Sequence, residues 1–189
     1  GDASLAIVVD GLTPHGHGVL KVPALVGTGP GQVPPGATIE SATLQVNCFN
    51  SGNLIRMYRL AEDWVPTQVT WNQRASGVAW ADAGADGGAS IDPAATVDAN
   101  MSATGWRSLD VTRFVQDWAD GDPNYGIVMV DTGQDGVDFY ATESGTPPVL
   151  TVEYSMSSWQ QVATQGLGGA TSASAAFASQ TLADGQEYF

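Results

Sequence analysis

Residues 33–49 constrain the fold of this chain more than any other segment, because a tight turn leads directly into a strand with two different faces. The segment opens with Val-Pro-Pro-Gly and continues with alternating apolar and polar residues. Successive strand residues point to opposite sides of a sheet. The apolar face consists of Ala42, Leu44, Val46 and Cys48, and the polar face of Ser41, Thr43, Gln45 and Asn47. The pattern predicts a strand with one buried face and one wet face.

Further short apolar runs, separated by turn residues, predict an all-β domain. The predicted strands are residues 4–10, 19–26, 54–60, 106–110, 125–131, 137–142 and 149–154. The run at 54–60 is predicted to form a hairpin with 33–49 through the polar turn at 50–53. Residues 77–103 read as a long loop that either contains a strand the pattern does not place or has a function of its own. This spacing is typical of an antiparallel, jelly-roll-like β-sandwich.

One short helix interrupts the strands after residue 110. Thr112 is its expected N-cap and Gly121 its stop. Phe114, Val115 and Trp118 form its apolar face, which must pack on the sheet because a helix of about two turns is not stable alone.

Charge and cysteine content exclude several classes of partner. The net charge is −14, with Lys21 as the one lysine and five arginines, so a basic surface for nucleic acid or an anionic membrane is not expected. No apolar run approaches the ~20 residues of a membrane-spanning helix. Cys48 is the single cysteine, which excludes an internal disulfide and is expected to be a buried apolar residue. The start at Gly1, without Met, suggests a processed or truncated product.

The C-terminal segment differs from the rest in composition. Residues 155–183 contain no charged residue and few apolar ones. The chain is therefore divided into a sandwich at 1–154 and an arm at 155–189. The arm is either a flexible tail or a docking arm that adds a strand to a neighbouring subunit.

Six fragments, in order, resemble the DNRLRE-domain family over residues 19–154. They are Pro-Pro-Gly-Ala-Thr-Ile at 34–39, Ser-Ala-Thr-Leu at 41–44, Trp64 with Val-Thr-Trp-Asn at 69–72, Leu-Asp-Val-Thr at 109–112 with Val-Gln-Asp-Trp at 115–118, Asn-Tyr-Gly-Ile at 124–127, and Pro-Pro-Val-Leu-Thr-Val-Glu-Tyr at 147–154. The resemblance implies an extracellular β-sandwich, and some members of that family bind carbohydrate. It implies no catalytic residue. Residues 182–189 are similar to part of a fibronectin-type-III-like repeat.

No arrangement of reactive residues predicts catalysis. His15 and His17 could supply half of a metal site, but the chain has no third histidine. The glutamates available for glycosidase chemistry show no defined pair spacing. They are Glu40, Glu62, Glu143 and Glu153. The sequence contains no Gly-x-Ser-x-Gly nucleophile motif.

Two binding sites are predicted. Asp131, Asp135 and Asp138 fall in one glycine-containing turn, which is either a calcium site or a plain hairpin turn. Sugar binding needs exposed aromatic rings beside polar groups, and Trp80 and Trp106 are the candidates. The remaining tryptophans of the motifs are expected in the core. They are Trp64, Trp71 and Trp118.

These observations predict a non-catalytic structural or adhesive surface protein. It would be repeated in a particle, filament or cell-surface assembly through its arm, with copies of itself or a neighbouring structural subunit as partners. The alternative is a carbohydrate-binding module that recognises a polysaccharide. Either function predicts an extracellular location or the surface of a virion or filament.

Overall fold

The computed structural model describes residues 6–12, 15–156 and 180–182. Two antiparallel sheets face each other across an apolar core, so the predicted all-β sandwich with one short helix is confirmed. The elements are β1 Ala6–Val9, β2 Gly18–Leu20, β3 Thr38–Asn50, β4 Leu54–Leu60, β5 Gln73–Ala75, β6 Val78–Ala79, β7 Ile91–Asn100, β8 Gly105–Asp110, α1 Thr112–Ala119, β9 Ile127–Asp131, β10 Val137–Tyr140, β11 Val149–Ser155 and β12 Gln180–Leu182.

The strand β3 organises the first sheet because both of its edges are paired. Along one edge it meets β11 and then β10, and along the other it meets β8. The sheet order is β1-β10-β3-β11-β12, with β8 as the extra strand. The second sheet has the order β2-β9-β4-β7, and β5 and β6 form a separate small hairpin.

The two faces of β3 are those predicted from its alternation. Ala42, Leu44, Val46 and Cys48 are all at most 4% exposed and belong to the main core. Burial raises the pKa of the Cys48 thiol, so this cysteine is protonated and packs as an apolar side chain. The opposite face of β3 points to solvent.

The predicted hairpin between β3 and β4 is wrong, because the two strands lie in different sheets. β4 pairs with β7 and β9 instead. Residues 50–53 form an arch between the layers, in which Asn53 N donates to Asp135 O at 2.8 Å and Gly52 N donates to Met101 O at 3.1 Å. The same small polar residues suit a hairpin turn and an arch, so composition did not separate the two.

The helix α1 packs on β3 as predicted, but its first turn differs. Val111 occupies the N-cap and makes no side-chain cap, while the Thr112 hydroxyl accepts a hydrogen bond from Ala42 N at 2.9 Å. Gln116 also ties the helix to the segment entering β3, since its amide oxygen accepts from Ile39 N at 2.8 Å. Thr112 therefore joins the helix to the sheet and does not cap it.

The strand expected within residues 77–103 is β7, at the edge of the second sheet. Its burial does not alternate, because the pairing with β4 shifts register between Tyr58 and Arg59. Pro93 also lies inside it. Both features hide a strand from a search for strict alternation.

The outer face of the second sheet is covered by the chain that runs from β4 to β7. In β9, Ile127 and Met129 point into the main core, whereas Val128 points outward and is also buried. A second apolar cluster forms over Val128 from side chains of the covering chain and of the strand ends that flank it. These are Leu60, Trp64, Trp80, Ala85 and Ile91.

Most of the C-terminal arm lies outside the described residues. Its described strand, β12, pairs antiparallel with β11 of the same chain. The docking of the arm on a neighbouring subunit stays a prediction. No helix in the described ranges has the length and hydropathy that crossing a membrane would require.

Candidate functional site

The outer face of the first sheet carries exposed aromatic side chains, and we call Phe49, Trp106 and Tyr140 the aromatic face. Trp106 is 51% exposed and Phe49 is 42% exposed. Phe49 contacts Tyr140 with ring centroids 4.8 Å apart and planes tilted by 47°. Trp106 lies directly opposite Asn47, so Phe49 is its diagonal neighbour across the β3–β8 pair. The three rings thus occupy one open sheet surface.

Polar side chains border Trp106 on the same surface. Asn47 is its cross-strand partner, and Gln45 lies opposite Ser108 one pair further along. Gln45 and Ser108 are exposed. Amide and hydroxyl groups that both donate and accept hydrogen bonds therefore flank the indole.

The covered side of the sandwich has a different aromatic feature, a cavity of about 210 Å³ beside Trp71, which we call the Trp71 pocket. Trp71 is 39% exposed. His17 packs against it with centroids 4.6 Å apart, and His15 stacks on it at 6.2 Å with an interplanar angle of 22°. The ring nitrogen Nδ1 of His17 lies 2.8 Å from Gly84 O, which requires the proton on that nitrogen.

Two tryptophans exchange the roles expected from the sequence. Trp80 is only 6% exposed, and its indole N–H donates to Thr70 O at 3.1 Å, so it is not an exposed platform. Trp71, expected in the core, is open to solvent. Both belong to the irregular covering chain, where no periodicity tells which ring faces the sheet. Trp64 and Trp118 are buried as predicted.

The structure does not bring the predicted calcium ligands together. Asp131 ends β9 and is buried, Asp135 is exposed in the following turn, and Asp138 lies on the outer face of β10, where it accepts from Asn50 Nδ2 at 3.3 Å. In the described residues no group of three or more His, Cys, Asp or Glu side chains could hold a metal. The half-site of His15 and His17 is likewise not completed there.

The glutamates weighed for catalysis have structural partners. Glu62 accepts from Ser90 Oγ at 2.6 Å, and Glu153 accepts from Ser41 Oγ at 3.2 Å. Glu40 accepts from the Ser155 hydroxyl at 2.7 Å. Glu143 accepts from its neighbour Thr142 at 2.8 Å.

All six cationic side chains are engaged within the protein. Five of them lie within 4.0 Å of a carboxylate, and these are Lys21, Arg56, Arg59, Arg74 and Arg113. Arg107 donates to Asn100 O at 3.3 Å. None of the six lies uncommitted on the aromatic face.

Sequence reasoning found Trp106 but missed Phe49 and Tyr140. Phe49 continues the period of two on the polar face of β3, but the sequence analysis did not single it out, and the register that brings Tyr140 beside it depends on the β3–β10 pairing. That pairing joins residues far apart in the chain. Local patterns do not contain it.

A family comparison agrees with this architecture. The model of carbohydrate-binding module family 96 matches residues 30–154, from the turn before β3 to the end of the sandwich. A search of the curated proteins finds no match. The DNRLRE resemblance itself is not confirmed, whereas the carbohydrate-binding β-sandwich that it implied is compatible with the match. Since the matched segment spans more than half of the sequence, the chain belongs to carbohydrate-binding module family 96.

Proposed function

We propose that this chain is a non-catalytic extracellular module that binds a polysaccharide on its aromatic face. The observation that carries this proposal is the half-exposed indole of Trp106 on an open strand surface, beside amide and hydroxyl groups. An exposed aromatic patch marks a binding surface, because covering it removes apolar area from water.

The chemistry of the aromatic face suits a sugar ring. The apolar C–H face of a pyranose packs on an indole, while its equatorial hydroxyls reach the side chains around the ring edge. Asn47 and Gln45 supply donors and acceptors beside the indole on the same face. Phe49, the diagonal neighbour of Trp106 in the strand register, offers a second ring for a neighbouring sugar unit.

The charge distribution favours a neutral polysaccharide. The net charge is −14, and an acidic polysaccharide would be repelled on approach. A bidentate arginine is the preferred partner of a carboxylate, but the arginines here are already committed within the protein. Polar uncharged side chains border the aromatic face instead.

Affinity electrophoresis in gels that contain single neutral or acidic polysaccharides tests the proposal. We expect a neutral polysaccharide to retard the wild type and Trp106→Ala to weaken binding at least about tenfold, a loss of about 1.4 kcal/mol. Trp71→Ala is the matched control, since it removes an exposed indole from the opposite side and should leave retardation unchanged.

Three results would contradict parts of this proposal. No retardation by any polysaccharide would reject carbohydrate binding. Loss of binding in Trp71→Ala but not in Trp106→Ala would move the site to the Trp71 pocket. Retardation by acidic polysaccharides alone would reject the neutral ligand.

The family match supports carbohydrate binding and gives no support to the structural and adhesive assembly predicted from the sequence.

A further inference from the structure

A second site, separate from carbohydrate binding, is indicated by the side chain of Asp131. Asp131 ends β9 on the same face as Ile127 and Met129, so it points between the two sheets. It is only 9% exposed, and neither carboxylate oxygen has a hydrogen-bond partner. Arg59, Arg74 and Arg107 each have a buried unpaired Nε atom, but each donates a hydrogen bond through another nitrogen. Both carboxylate oxygens of Asp131, by contrast, have no hydrogen-bond partner. A buried, unpaired carboxylate is costly to a folded protein.

The backbone around Asp131 brings further oxygen close to it. Its Oδ2 atom lies 3.1 Å from the position that a Cβ on Gly11 would occupy, and Gly133 O lies closer still to that same position. A carboxylate oxygen and a carbonyl oxygen therefore both lie beside Gly11. Asp10, the residue before Gly11, adds a second carboxylate at this end of the sandwich.

The loop that holds these oxygens is fixed in place. Asn53 Oδ1 accepts from Gln134 N and Asp135 N, each at 2.8 Å. Thr132 donates to Leu54 O through its hydroxyl at 2.7 Å. A side chain on Gly133 would collide with Asn53, so the glycine is required for this close approach. The acceptors are thus preorganised by bonds that do not involve the Asp131 carboxylate.

We propose that Asp131 and Gly133 O bind a divalent cation of the calcium type. Calcium takes six to eight oxygen ligands, including carboxylates, backbone carbonyls and water, in flexible geometry. The two oxygens come from one carboxylate and one carbonyl, which suits calcium better than zinc, whose usual ligands are nitrogen and sulfur. Of the three aspartates predicted from the sequence, this site keeps only Asp131 and gains a backbone oxygen.

Calorimetric titration of the EDTA-treated full chain with CaCl₂, together with thermal unfolding, tests this site. We expect one calcium per chain and a rise in Tm of about 5–10 °C at a hundredfold excess over Kd. Asp131→Asn should abolish both effects. Asp135→Asn, an exposed residue of the same loop, should retain them.

A second readout separates cation binding from a merely structural role. In EDTA, Asp131→Asn should unfold at the same temperature as the wild type or higher, because it removes an uncompensated buried charge. In calcium the order should reverse. No heat and no Tm shift in the wild type would overturn the proposal. Equal binding by Asp131→Asn would also overturn it, and failure of this variant to fold would leave the wild-type titration decisive.

Discussion

The outer faces of the two sheets differ in whether another part of the chain covers them. The second sheet has apolar residues on both faces, and the chain from β4 to β7 covers the outer one with Trp64 and Trp80. Burial in the first sheet alternates along β3 from Ser41 to Cys48, so its outer face needs no cover and Trp106 stays open. An aromatic ring on the covered face contributes to stability, whereas one on the bare face is available for binding.

The largest expected effect is loss of stability in Trp80→Ala. Trp80 is 6% exposed and fills the second apolar cluster, so truncation should lower the free energy of unfolding by about 3–5 kcal/mol. Chemical denaturation measures this change. Polysaccharide binding by the folded fraction should persist, because the aromatic face lies on the other sheet. An unchanged unfolding midpoint would contradict the stabilising role of this ring.

An intermediate effect is expected for Arg59→Met, also on the covered side. Arg59 is 12% exposed and bonds Asp92 at 2.5 Å and Asp122 at 2.6 Å. Its loss should lower stability by about 1–3 kcal/mol, below the value for a fully buried pair because Asp122 is half exposed. Arg113→Met, at a 60% exposed position, is the control and should cost under about 0.5 kcal/mol. Equal losses would contradict this ranking.

The same arginine sets an acid dependence of stability. The hydrogen bond from Arg59 lowers the pKa of Asp92 below its ordinary value of 3.8. The ionised Asp92 carboxylate therefore contributes to the stability of the fold above pH 3.8. This contribution is lost as the pH falls through the lower pKa that Asp92 has in the folded protein. Stability measured by denaturation across this range should fall less steeply in Arg59→Met than in the wild type. An identical slope would show that Asp92 does not carry this effect.

The smallest expected effect sharpens the comparison most. Trp106→Ala should change the free energy of unfolding by less than about 0.5 kcal/mol, since its ring lies on the bare face. The measurement is the same denaturation experiment used for Trp80→Ala. A loss as large as that of Trp80→Ala would mean that Trp106 supports the fold.

The sequence predicted which residues of a strand share a face, because that follows from a period of two. It did not predict side-chain positions that depend on contacts between distant parts of the chain. The faces of β3 were predictable from alternation, whereas Trp106 was a candidate only because Trp64, Trp71 and Trp118 suited the core. The roles of Trp71 and Trp80 were not, because both lie in an irregular segment whose path over the sheet is set by tertiary contacts. The position of Asp131 was also hidden, since β9 is apolar on both faces and its alternation does not identify the inner one.

The alternation of β3 has a consequence for how this protein could change. Its outward positions, including Gln45 and Asn47, carry side chains that the core does not depend on. On the proposed function, mutations there change which glycan is selected while folding remains intact. The bare sheet is thus a surface on which new specificities could evolve, or be selected from a library, one residue at a time.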